Sequence, residues 1–188
     1  IHCRWRAEAP LKVKLCGVSY CDGSYRIRRR ISPYTVFEFI TRGKGTLEAS
    51  NQVFHPKQGD VYIVTEGSSH EYWADSKEPW TKLWFNTAGP LPLELLDTYG
   101  LRGIHHIPSV PVESLFRAGL GACREDPTQA EEVVAIALHN IIIQIATVLH
   151  DRHETIEKQS QNLHDYLDQC VAETPTLDEM AKIIGRSP

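Results

Sequence analysis

Hydrophobic and polar positions change their rhythm midway along the chain. Up to residue 90, short runs of β-branched and aromatic residues alternate with turn signals. Tyr34–Thr41 (YTVFEFIT) ends at Arg42-Gly43-Lys44-Gly45. Thr46–Ala49 restarts and turns at Ser50-Asn51, and Gly59-Asp60 precedes the apolar run Val61–Val64. Glu66-Gly67 turns again before His70–Trp73, and Thr81–Phe85 is the next run. Short strands with frequent Gly, Asn and Pro turns predict a sandwich or barrel. Beyond residue 90 the period becomes helical. Leu91–Tyr99 is a short helix ending at Gly100, and Val112, Leu115, Phe116, Gly119, Leu120 and Cys123 form a second stripe. The strongest stripe is Val134, Leu138, Ile141, Ile142, Ile145 and Leu149, on a helix predicted to start near Thr128. Val133, Ile136, Ala137 and Ile143 make that helix apolar on further faces.

After His150 the pattern weakens. Asp151–Gln161 is polar and reads as a linker or a solvated helical extension. Leu163, Tyr166, Leu167, Cys170 and Val171 restore an amphipathic stripe, which Thr174-Pro175 breaks. Thr176 with Glu179 three residues on has the spacing of a capping box, and Gly185 closes that last helix. Ser187-Pro188 suits the start of another helix, so the chain is expected to be truncated there.

Composition narrows the class. The 188 residues are 41% hydrophobic and 23% charged, as in an ordinary globular protein. A net charge of −4 argues against a surface built mainly for nucleic acid. Cys3, Cys16, Cys21, Cys123 and Cys170 show neither zinc spacing nor a CxxC pair, and read as reduced thiols in a cytoplasmic protein. The charged opening residues do not suggest a signal peptide. The apolar stretch Val133–Leu149 is interrupted by His139, Asn140 and Gln144, so no membrane span is expected.

Four segments in register resemble the AraC family of transcription regulators: ITRGKGTLE (40–48), GDVYIVTEGSSHEY (59–72), WTKLWFNTAGP (80–90) and the tail LHDYLDQCVAETPTLDEMAKIIGRSP (163–188). The resemblance implies a mainly β fold with an α appendage: a cupin-like (double-stranded β-helix or jelly-roll) barrel followed by a helical dimerisation region. It implies a barrel over 1–90, dimerisation helices over 91–151, a linker over 152–162 and the truncated start of a helix-turn-helix domain over 163–188. It also implies a small-molecule effector, usually a sugar or glycoside, a homodimer, and DNA contact only through the helix-turn-helix domain mostly missing here. No cofactor is implied.

The second segment also resembles a cupin metal motif, with Gly59, Thr65 in place of Pro, Gly67 and His70. The stretch that should supply the other ligands, 43–58, holds only His55 and no correctly spaced Glu. A catalytic metal needs about three protein ligands, so an enzyme such as a sugar isomerase is the lesser alternative. A dimerisation module without ligand is another.

Alternation puts Val36, Glu38, Ile40 and Arg42 on one strand face. The family match turns Arg42, His70 and Tyr72 toward the cavity, and Glu38 with Arg42. Lys82 and Trp84 share parity, and Trp84 suits stacking on a sugar ring. The expected ligand-binding set is therefore Glu38, Arg42, His70, Tyr72, Lys82 and Trp84. Glu38 and Arg42 could equally form a simple buried pair, and Trp73 and Trp80 read as packing residues. The Arg26, Arg28, Arg29 and Arg30 cluster suits either an acid or phosphate site or a solvated edge strand. The expected dimer surface is the stripe Val134, Leu138, Ile141, Ile142, Ile145 and Leu149, the alternative being that the whole stripe packs on the chain's own barrel.

Overall fold

Every alternating run of the first half forms a strand in the computed structural model, which describes residues 1, 8–126, 130–170, 175–185 and 187. Cys3, Thr128, Val171, Thr174 and Pro188, singled out above, lie outside the described residues. The strands are β1 (Lys12–Tyr20), β2 (Arg26–Arg29), β3 (Thr35–Arg42), β4 (Gly45–Ala49), β5 (Gln52–Phe54), β6 (Val61–Val64), β7 (His70–Ala74), β8 (Thr81–Ala88) and β9 (His106–Ile107). One sheet has the order β1–β8–β3–β6–β9 and the other β2–β7–β4–β5. The pairings are antiparallel and, apart from the β4–β5 hairpin, join strands distant in sequence. This is a double-stranded β-helix of the cupin-like kind, mainly β with an α appendage, as expected.

The helices are α1 (Leu91–Thr98), α2 (Glu113–Glu125), α3 (Ala130–Gln169) and α4 (Leu177–Ile183). The chain divides into two compact units, Ile1–Ala146 and Thr147–Pro188. The sheets and the helices up to Ala146 thus form one body, with no boundary at residue 90.

Why they merge is visible in β3. Thr35 to Ile40 are all buried, because this central strand is covered on both faces. One face packs between the sheets: Val36, Ile40, Tyr62 and Val64 meet Leu47, Ala49, Tyr72, Ala74 and Trp80. On the other face Phe39 and Phe85 stack on Phe116 of α2, with ring centroids 6.0 and 5.1 Å apart. Gly119 lets α2 approach Phe85 closely.

The Arg42-Gly43-Lys44-Gly45 turn needs both glycines. Gly43 has a φ of 72° and lies against the Pro79 carbonyl, while a Cβ on Gly45 would overlap the Trp80 ring and the Trp73 carbonyl. Gly45→Ala is expected to destabilise the fold by about 1–3 kcal/mol through overpacking, read as a lower urea midpoint with an unchanged m-value. Asp60, of the Gly59-Asp60 pair, is buried and accepts from Lys57 N, Ser109 N and His106 Nε2 at 2.9–3.0 Å. It ties the turn before β6 to the segment around β9.

The expected dimer stripe is placed differently. Val134, Leu138, Ile141, Ile142 and Ile145 are fully buried within the chain's own first unit. Leu149, in the second unit, is half-buried. Those five buried side chains are therefore spent on this chain's own core, and a partner would have to use another face. Val133 and Ile136 are exposed at 44% and 55%. Part of α3 is long and apolar enough to cross a membrane, and about a third of that stretch is buried inside the protein.

In the second unit, residues 152–162 are not an irregular linker but part of α3. Exposed i,i+4 pairs line this stretch: Glu154 with His150 and Lys158, His153 with Glu157, and Gln161 with Asp165. Such pairs support a solvated helix without an apolar stripe. In α4 the expected capping box is present, Thr176 Oγ1 accepting from Glu179 N at 3.3 Å and Glu179 Oε2 from Thr176 N at 2.9 Å.

Candidate functional site

Between the sheets the core is not purely apolar. Glu38 of β3 and Lys82 of β8 are 3% and 1% exposed, and Lys82 Nζ lies 2.6 Å from Glu38 Oε2. Nζ also donates to Tyr62 Oη at 2.7 Å. Four rings surround the ammonium: Tyr72 at 4.2 Å, Tyr25 and Trp80 at 5.0 Å, and Tyr62 at 5.4 Å. Aromatic faces carry negative charge density, which favours a cation among them. Burial pushes the Lys82 pKa down, opposed by the charge of Glu38. Burial also raises the Tyr72 and Tyr25 hydroxyls, with the Glu38 charge adding to the rise.

The six expected ligand residues separate into four places. Glu38, Tyr72 and Lys82 meet in this interior. Arg42 does not join them. The β3–β8 register skips Thr41, pairing Ile40 with Lys82 and Arg42 with Thr81. That bulge turns Arg42 off the Glu38 face, and it stands exposed at one mouth of the sandwich. There it lines a cavity of about 730 Å³ with Cys21, Lys44, Lys57, Lys77 and Thr81. Lys44 is paired with Glu78 at 2.9 Å.

His70 sits at the opposite mouth. It is the first residue of β7, where β4 ends, whereas Arg42 sits where β4 begins. Its ring is nearly parallel to that of Tyr72, with centroids 5.7 Å apart. Burial, assisted by Arg29, His105 and Lys82, lowers its pKa to about 4. Trp84 is half-buried, above Gly17 of β1, and donates from Nε1 to Ser19 Oγ at 2.9 Å. It shares the sheet face of Glu38, its Cα partner.

Sequence reasoning missed Tyr25 and Tyr62 and assigned Trp80 to packing. A signal for Tyr62 exists: it is the one residue with a polar side-chain atom in Val61–Val64. Tyr25 lies before a short edge strand and gives none.

Among the described residues no group of three His, Cys, Asp or Glu side chains could hold a metal. His55 is exposed, 3.4 Å from Thr46 Oγ1, and His105 is held by Ser50 and the Ile63 carbonyl. The donor set around His70 is thus not that of a cupin metal centre.

The fold is an all-antiparallel double sheet with a partly polar, aromatic-walled interior and a helical layer. A family model described as the AraC-like ligand binding domain matches residues 12–173, and the chain belongs to that family. Three curated relatives are similar over part of it. The Msm operon regulatory protein of Streptococcus mutans is 30% identical over 79 residues, 42% of this chain. The lactose operon transcription activator of Staphylococcus xylosus is 29% identical over 79 residues, 39% of this chain. The raffinose operon transcriptional regulatory protein RafR of Pediococcus pentosaceus is 34% identical over 65 residues, 32% of this chain. These matches span only 28%, 28% and 22% of the relatives' own lengths.

Proposed function

We propose that this chain is the effector-sensing part of a cytoplasmic AraC-type transcription regulator whose effector is a sugar or glycoside. Family membership over residues 12–173 carries the reading. Relatives named for lactose and raffinose operons support a sugar. The domain acts by binding rather than by catalysis, and DNA is engaged by a helix-turn-helix domain beyond the residues folded here.

The interior suits this role. A buried ion pair is a poor way to stabilise a core, because desolvation offsets most of the attraction. Glu38, Lys82, Tyr72 and Trp84 instead offer a sugar what it requires: donors and acceptors for its hydroxyls and ring faces for its C–H surface. Arg42 lines the cavity at one mouth, outside this buried cluster, and contacts a ligand entering there. His70, at the far mouth, holds the Tyr72 ring in place. Sugar binding shifts an equilibrium only through different affinity for two states of the protein.

A homodimer formed through the outer face of α3, around Val133 and Ile136, is the second part of the proposal. The test of sensing is a thermal-shift screen against lactose, raffinose, monosaccharides and glycosides. A ligand at a hundred times its Kd stabilises by about 2.7 kcal/mol, a shift of several degrees. Arg42→Ala, at an exposed position, is expected to keep the unliganded Tm and to lose most of the shift. No shift with any sugar contradicts the proposal.

A further inference from the structure

The mouth at the His70 end carries chemistry that the sugar reading leaves unused. β2 and β7 pair there with Arg29 opposite His70, and the β4–β5 turn, Ser50-Asn51, closes the other side. Both turn residues have positive φ, 50° and 60°. Between them is a cavity of about 700 Å³, lined by Arg29, Arg30, Ser50, Asn51, Ser69 and His70 among others. That volume lies within the range of small-molecule sites.

The charges around it are unevenly matched. Glu71 is engaged by Arg26 and by Arg28, the latter at 3.5 Å. Arg29 and Arg30 are exposed, and neither has an ion-pair partner among the described residues. Glu48 is the remaining acid of the lining. His70 supplies an independent observation. It is 4% exposed, yet its Nδ1 has no hydrogen-bond partner. A buried polar atom left unpaired is costly, and such atoms are rare in folded proteins. Stacking on Tyr72 fixes the ring, and Ser50 Oγ is already turned toward His105 Nε2 at 2.8 Å. The mouth therefore presents guanidinium forks and hydroxyls, and its wall includes the His70 ring, whose Nδ1 is buried and unpaired.

We infer that this groove binds a phosphoryl group, carried by a small phosphorylated metabolite of the sugar-phosphate type. Guanidinium groups match the paired oxygens of a phosphate better than ammonium groups do. The edge-strand role of the arginines accounts for Arg26 and Arg28, which are paired with Glu71. It accounts for neither the inward partner position of Arg29 nor the orphaned His70 nitrogen. The site lies at the opposite end from Arg42, and its occupation is independent of the sugar reading.

The test is calorimetric titration of the 188-residue chain with glucose 6-phosphate, inorganic phosphate and glucose. Glucose 6-phosphate is expected to bind and to weaken as salt rises. Arg29→Gln with Arg30→Gln is expected to lower that affinity at least tenfold, and Arg117→Gln with Arg124→Gln, an equal loss of charge on α2, to leave it unchanged. Tighter binding of the sugar phosphate than of inorganic phosphate assigns the source as a phosphorylated sugar, and equal binding assigns free phosphate; either supports a phosphoryl site. No heat with either phosphate, or binding that survives the double substitution, overturns it. A sugar that binds elsewhere in the domain leaves this result unaffected.

Discussion

Lys82→Met is expected to lower the unfolding free energy by about 3–5 kcal/mol, the usual cost of removing one partner from a buried ion pair. Methionine fills the space of the lysine stem but leaves the Glu38 carboxylate without a countercharge, at 3% exposure. It also removes the donor to Tyr62 and the cation among four rings. Against a typical domain stability of about 5–15 kcal/mol, this is roughly a fifth or more of the whole. Adding Glu38→Leu is expected to recover most of the loss, because a well-packed apolar pair often matches a buried ionic one. Urea denaturation of the two single variants and the double variant at pH 7 gives the coupling. A cost below about 1 kcal/mol for Lys82→Met would mean that water reaches the pair. Recovery of stability without recovery of ligand binding would identify the pair as functional rather than structural.

The second large effect separates two faces of α3. Leu138→Ala is expected to cost about 2–5 kcal/mol, since Leu138 is fully buried in the first unit. Ile136→Glu, at a residue 55% exposed, is expected to change stability by less than about 0.5 kcal/mol. If the outer face is the dimer surface, Ile136→Glu raises the dimer dissociation constant at least tenfold in sedimentation equilibrium. An unchanged association constant would place the contact elsewhere. If the stripe through Leu138 were the surface, Leu138→Ala rather than Ile136→Glu would weaken the dimer.

The strands were legible where alternation is unbroken. Residues 35–42, 45–49, 61–64, 70–74 and 81–88 follow runs visible in the sequence. β1 was not, because a register shift between Val13 and Leu15 and a glycine at 17 interrupt its pattern. The helical stripe through Leu138 was clear, but its partner was not. A stripe reports that a face is buried and not which molecule buries it. Candidate-site residues were legible as types and less so as a constellation. Glu38, Lys82 and Tyr72 meet because β3, β8 and β7 bring them together with correct parity. Arg42 departs because one bulge at Thr41 reverses its face, and no residue type announces that bulge. The polar run 152–162 left linker and helix open, and side-chain pairs four residues apart decide for helix.

The most direct measurement of sensing is calorimetric titration of the intact chain with the sugar that gives the largest thermal shift. Saturable binding at one site per chain is expected, with at least tenfold loss in Arg42→Ala and no dependence on added divalent metal or chelator. Binding that requires a metal, or a sugar turned over during the titration, would contradict a sensor and favour an enzyme of the same fold.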